Sequence, residues 1–265
     1  MCLILLAHRV FSGFPLVLAA NRDEFFQRPT ASAGYWADAP DILGGRDLAQ
    51  GGTWLGVSRD GRWGAVTNFR DGVPAPDGSR SRGELVAQYL RGGYRAGDYL
   101  QQLGGTAPAY HGFNLLLGDA SGVLFFSNRG SQPGNLASGI YGLSNHLLDT
   151  PWPKVAQGKR ALAALADAAA ADRDGNRLTE DLFSLLQDRA AASDPDLPET
   201  GVSRDWERLL SPMFISAPGY GTRASTVLLI DRAGGVQFHE RGFGPDGTPR
   251  QLRSFRIETG VPVSD

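Results

Sequence analysis

The sequence predicts one α+β domain, residues 1–265, built on stacked sheets with antiparallel or mixed strands. Two observations carry that reading. The strand-like segments come as adjacent pairs separated by short turn sequences, which favours hairpins over a repeating βαβ pattern. The helical patterns fill the gaps between those pairs. Composition agrees: 265 residues, 42% hydrophobic and 20% charged, suffice for a full globular core.

The elements follow in order. "CLILLA" and "PLVLAANRD" read as two buried strands joined by a turn around "FSGF". "TWLGVS" and "RWGAVTNF" follow, with Asp60-Gly61 as a strong hairpin signal. "RGELVAQYLRG" is amphipathic and predicts a helix from about Arg82. "FNLLLGD" and "VLFFSN" form the next pair, turning near Gly122. Two helices are expected at "KVAQGKRALAALADAAA", after Pro153, and at "TEDLFSLLQDRAAA", with Thr179 as its N-cap. "RDWERLL" reads as one short helix, and "STVLLID" and "VQFHER" as the last strand pair, joined by "RAGG". The Gly-rich "GGRDLAQGGTWLG" has neither the P-loop nor the dinucleotide pattern and reads as a loop passing near a site.

Charge and cysteine usage exclude several classes. The formal net charge is −2 and the basic residues are scattered, which gives no electrostatic case for nucleic acid or an anionic membrane. No apolar run approaches a bilayer span, so no stable membrane insertion is expected. "CLILLA" is too short for a secretory apolar core, and "HRV" interrupts it. One cysteine cannot form an internal disulfide. These features together predict a cytoplasmic protein. The sequence leaves the oligomeric state open.

That cysteine, Cys2, directly follows Met1. Removal of Met1 would give it a free α-amine beside its thiol. An α-amine titrates at roughly 7.7–8.0. Base and nucleophile would then belong to one residue. Taken alone, Cys2 fits equally a small buried hydrophobe at a strand start or an S-acylation site. A hairpin between the first two strands brings Arg22 and Asp23 of "NRDE" close to it, where a guanidinium favours a thiolate and a carboxylate holds an ammonium. Taken alone, those residues also suit a structural ion pair. Asn68 and Asn145 each sit where a strand gives way to a loop; Asn donates well to an oxyanion, and it is also a common turn residue. Arg223 stands just before a late strand. Asn21, Glu24, Trp54, Phe69 and His146 are candidates for the substrate-binding surface. His8, His111, His146 and His239 match no zinc spacing, so no metal site is expected.

The segments "MCLILLA", "LAANRDEFF", "GGTWLGVS", "GAVTNFRDG", "GFNLLLGD" and "IYGLSNHLLDTPWPKV" together resemble the NRDE family, also called the transport and Golgi organisation protein 2 family. The resemblance runs from Met1 to about Arg160 and resumes at "GTRASTVLLID". The family is similar in turn to cysteine N-terminal nucleophile hydrolases of the choloylglycine hydrolase and penicillin V acylase type. That relationship implies a four-layer αββα sandwich and an amidohydrolase or acyl-transfer enzyme acting on a linear amide or related acyl substrate. It places Cys2 at the nucleophile and Asn68 and Asn145 at the oxyanion. Arg223 takes the place of the late arginine. The hydrolases set Arg and Asp three apart. Here Arg22 and Asp23 are adjacent, so the amine-holder is Asp23 or Glu24. The resemblance also implies an alternative, a non-catalytic haem or lipid and acyl-CoA binding and trafficking protein. There haem would be the cofactor-like ligand and a histidine its axial donor.

Overall fold

A computed structural model describes residues 2–74, 76, 78–130, 132–168 and 174–260. The apolar run that opens the chain forms β1 (Cys2–His8) and pairs antiparallel with β2 (Leu16–Phe25). Because β1 is buried on both faces, it reads as continuous apolar sequence rather than as alternation. Ile4 and Leu6 face the opposite sheet, whereas Leu3, Leu5 and Ala7 face helices.

The second sheet begins with β3 (Thr30–Trp36) and β4 (Ala39–Asp47) and continues through β5 (Leu55–Ser58) and β6 (Trp63–Asn68). The β5–β6 hairpin turns at Asp60-Gly61, where Gly61 takes a φ of 85° that a side chain would strain. The helices α1 (Arg82–Gly92) and α2 (Ala96–Leu103) intervene before β7 (Phe113–Asp119), β8 (Gly122–Ser127) and β9 (Gly134–Asn135) complete this sheet. β10 (Gly139–Leu143) crosses to the first sheet and lies beside β1. After α3 (Pro153–Ala168), α4 (Asn176–Leu186) and α5 (Arg204–Leu209), the short β11 (Ser216–Ala217) leads into β12 (Tyr220–Ile230), β13 (Gly235–Phe243) and β14 (Pro249–Glu258). The first sheet then runs β10-β1-β2-β12-β13-β14, and the second runs β3 to β9 in chain order. The named strand pairs in both are antiparallel.

Three apolar layers separate four structural ones. Leu18, Leu43, Leu55, Trp63, Leu116 and Phe238 fill the space between the sheets. Leu85, Tyr89 and Leu100 seat α1 and α2 on the second sheet against Leu115 and Leu117. Leu162, Leu182 and Phe183 seat α3 and α4 on the first sheet against Val17, Val227 and Leu229. This is an αββα sandwich. Among the described residues no helix is long and apolar enough to cross a membrane.

Some local expectations change. Thr179 is not an N-cap: α4 starts a turn earlier behind Gly175, and the Thr179 amide already donates to the Gly175 carbonyl at 2.9 Å. Arg223 lies inside β12, beside a register shift between Thr222 and Ala224, rather than ahead of a strand. Part of the Gly-rich segment, Gly44–Asp47, is the end of β4. The strands β3, β4, β9, β11 and β14 and the helix α2 are additions to the sequence reading.

Candidate functional site

β2 does not stop at its apolar part. It continues through Asn21-Arg22-Asp23-Glu24 to Phe25, and the β1–β2 register sets Cys2 directly opposite Arg22. At this end of the sandwich lies a cavity of about 260 Å³. β2 contributes Arg22, Asp23 and Glu24 to its wall, β6 contributes Asn68, and the segment after β4 contributes Thr53 and Trp54. The expected loop therefore does pass the site. The loop after β4 and the first turn of α1 meet there because both carry glycine at the crossing: a Cβ on Gly52 would overlap the backbone of Gly83.

The charged lining is mixed and closely braced, with Arg22, Arg28, Arg80 and Arg82 set among Asp23, Glu24 and Asp47. The Arg22 guanidinium lies over the Trp54 ring at 4.2 Å from its centroid. Its Nη2 is 4.0 Å from Glu24 Oε2, and its buried Nη1 has no hydrogen-bond partner among the described residues. Arg28 donates to Asp47 at 2.7 Å and lies 3.8 Å from Glu24. Asp23 is buried and accepts from Thr222 Oγ1 at 2.7 Å. Burial pushes its carboxyl up, opposed by Lys154, the Thr222 hydroxyl and Arg22.

The remaining predicted residues divide. Asn145 is fully buried behind Asn68: its Nδ2 donates to the Asn68 carbonyl at 3.1 Å, and its own carbonyl accepts from the Arg70 amide at 2.7 Å. Asn145 thus supports the end of β6 rather than lining the cavity. Arg223 also stands outside the lining. Its Nη1 donates to the carbonyls of Phe25 and Arg28, and burial, with repulsion from Arg22, pulls its pKa down. Asn21 points away from the cavity. Its Nδ2 donates to the carbonyls of Leu186 and Met213, each at 2.8 Å, and its Oδ1 accepts from Ser225 at 2.6 Å, so it ties β2 to the α4 side. Phe69 and His146 also stand outside the lining. They stack on each other at 4.8 Å, with Trp152 beside His146, and belong to a separate cluster. Burial pulls the His146 pKa down.

The sequence reading missed Arg28, Asp47, Gln50, His111 and the Ser79-Arg80-Ser81-Arg82 run, all of which line the cavity. The alternation of Ser and Arg just ahead of α1 was the available signal. Among the other histidines, His8 Nδ1 lies 3.1 Å from two backbone carbonyls, and His239 Nδ1 lies 3.0 Å from Ser254 Oγ. Only His111 of the four lines this cavity, and its buried Nε2 has no hydrogen-bond partner among the described residues. Among the described residues no cluster of three or more His, Cys, Asp or Glu forms a metal site.

Comparison with known proteins bears on this arrangement. A Transport and Golgi organisation protein 2 homolog of Bos taurus is 37% identical over 266 residues, covering 94% of this chain and 95% of the relative. The Drosophila melanogaster Transport and Golgi organization protein 2 is 32% identical, covering 89% of each. Among solved structures, a mutant conjugated bile acid hydrolase from Clostridium perfringens superposes with a TM-score of 0.50. It covers 100% of this chain and 99% of its own at 11% identity, a likeness of fold. The family model for Transport and Golgi organisation 2 matches residues 1–245. The chain belongs to the Transport and Golgi organisation 2 family.

Proposed function

We propose that the protein is a cysteine N-terminal nucleophile enzyme that transfers or hydrolyses the acyl group of a small linear amide or related acyl substrate. The observation that carries this reading is the pairing of Cys2 with Arg22 at the end of a strand hairpin whose neighbours Asp23, Glu24 and Trp54 share one cavity with Asn68. In the proposed reaction Met1 is first removed. The new α-amine takes the thiol proton, and the sulfur attacks the substrate carbonyl. Asn68 donates to the oxyanion, while Asn145 holds the Asn68 backbone. The C–N bond then breaks as a thioester forms, and the proton leaves with the amine. Water cleaves the thioester and frees the acid and the thiol. Asp23, or Glu24 at the rim, holds the ammonium form of the terminus, and Arg22 favours the thiolate, while Arg223 braces the turn after β2 through the Phe25 and Arg28 carbonyls. Arg22, Arg28, Arg80 and Arg82 suit a substrate with a carboxylate or phosphate group. The scarcity of cysteine fits a cytoplasmic setting.

Intact-mass spectrometry with a thiol-directed acylating probe tests the reading. The expected product lacks Met1 and gains one acyl group, and Cys2→Ala abolishes the gain. A retained Met1, or labelling that survives Cys2→Ala, overturns it.

His111 favours a second reading, non-catalytic binding of haem or an acyl ligand, because its Nε2 has no partner at the cavity. In a haem titration that reading requires a Soret shift that His111→Ala removes.

A further inference from the structure

Glu240 of β13 is a buried carboxyl that the proposed reaction does not use. It is 2% exposed and faces the interior between the two sheets. Its Oε1 accepts from the Ala33 amide of β3 at 2.6 Å, while its buried Oε2 has no hydrogen-bond partner among the described residues. The opposite charges that act on it are Arg22 and Arg253, and the buried Nη1 of Arg22 also has no hydrogen-bond partner among the described residues. The strand register explains the proximity. Glu240 pairs with Thr226, and Thr226 pairs with Ala20, two residues from Arg22 on the same face of β2. Gly45 of β4 completes the arrangement. A Cβ there would overlap the Trp54 ring and come 3.0 Å from Glu240 Oε2, so the absent side chain lets both groups reach one point. Arg22 is thus held by the Trp54 face and by Glu24 at the rim, while the Glu240 carboxyl acts on it through the interior without a hydrogen bond between them.

We propose that Glu240 is a positioning residue for Arg22, a buried carboxylate that draws the guanidinium inward and lowers the positive charge it presents to Cys2. The charged groups facing Glu240 are Arg22 from β2 and Arg253 from β14, with the Ala33 N–H from β3. Burial pushes the carboxyl up to about 7 against these three. Below that pH it is neutral and Arg22 acts on the thiol unopposed. Above it the carboxylate offsets part of the guanidinium charge, and the Cys2 thiol becomes harder to ionise.

Cys2 is the only cysteine, so alkylation by iodoacetamide reports on it alone. The test is the pH profile of that rate in wild type and Glu240→Gln. The amide keeps an acceptor for the Ala33 N–H and removes the charge. The variant should react about threefold to tenfold faster than wild type at pH 8, a change of up to one pKa unit in the thiol. The two should be equal at pH 5.5. In an Arg22→Gln background, Glu240→Gln should change nothing at either pH. A rate ratio that is the same at pH 5.5 and pH 8, or an effect that survives Arg22→Gln, overturns the proposal. So does a thiol that iodoacetamide leaves untouched. If Glu240→Gln does not fold, Arg22→Gln alone must remove the step near pH 7 from the wild-type profile, and a retained step overturns the proposal. The inference rests on Arg22 acting on Cys2 as in the proposed function. It needs only a reactive thiol, so failure of acyl transfer with an intact Glu240-dependent step separates the two.

Discussion

Within β2 the side chains of Asn21 and Arg22 leave opposite faces of the sheet, so changes at adjacent positions have different consequences. Asn21→Ala strips the carbonyls of Leu186 and Met213 and the hydroxyl of Ser225 of a buried partner. The cost should be about 3 kcal/mol, read as a lower urea midpoint at unchanged slope. Cys2 acylation per folded molecule should hold, and a loss of that chemistry without a loss of stability would move Asn21 into the site. Asn68 has the converse profile. Its side chain lines the cavity, whereas its backbone carbonyl takes the Asn145 hydrogen bond that braces this end of β6. Asn68→Ala keeps that carbonyl and removes one oxyanion donor. Acylation by the probe should fall about 100-fold or more with little change in the urea midpoint. An unchanged acylation rate would take Asn68 out of the mechanism.

The segment that follows β6 depends on elements far away in the chain. Arg70 lies under the Trp152 ring at 4.6 Å and pairs with Glu207 of α5 at 3.1 Å, both side chains being buried. Glu207 also accepts from the Thr200 amide and hydroxyl. The short α5 therefore fixes the segment that follows Asn68, the last residue of β6. Glu207→Ala leaves a buried guanidinium unpaired and should cost about 3–5 kcal/mol. The double change Arg70→Met with Glu207→Leu should recover most of it in urea unfolding; a double variant as unstable as the single would deny the pairing. The hairpins were legible in the sequence because β1, β2, β5, β6, β7 and β8 combine apolar runs with turn residues at fixed places. β14 was not, because Arg250, Arg253 and Arg256 of this exposed strand hide its period. Asn21 reads as a rim residue because the polar residues of "NRDE" look like a strand end, whereas β2 continues and its period of two sends Asn21 away from the cavity. Arg28, Arg80 and His111 were out of reach for a different reason. Only the packing of three separate loops brings them to one wall.

Across the molecule, carboxyls perturbed in opposite directions contribute to stability with opposite signs as pH rises. Asp38 is held at about 2 by its hydrogen bond to Arg46, with Arg91 adding to the effect. Arg208 likewise holds Asp194 low, and Thr248 holds Asp246 low. Carboxyls held low contribute stability that is present above the ordinary carboxylate range of ~4 and is lost as pH falls through their folded values. Glu240, which burial raises to about 7, and Asp23, also raised by burial, act the other way. The folded chain keeps protons there that the unfolded chain gives up. Their contribution is complete below the ordinary range and disappears as pH rises through the folded value, which for Glu240 is about 7. The carboxyl contribution to the urea midpoint should therefore climb from pH 2 to about 4 and decline between about 5 and 8. His8, His146 and His239, whose pKa values burial lowers, add stability as pH rises through the ordinary histidine value, so the comparison of wild type with a Glu240 variant isolates the carboxyl limb. Glu240→Gln should nearly match wild type at pH 5. At pH 8 it should be more stable by about 3 kcal/mol, the free energy of a shift from 4.5 to about 7. An alkaline limb with the same slope in both proteins would mean that Glu240 ionises inside the sandwich without penalty. Its carboxylate would then be solvated in place, and the tuning of Arg22 by a desolvated charge would lose its physical basis.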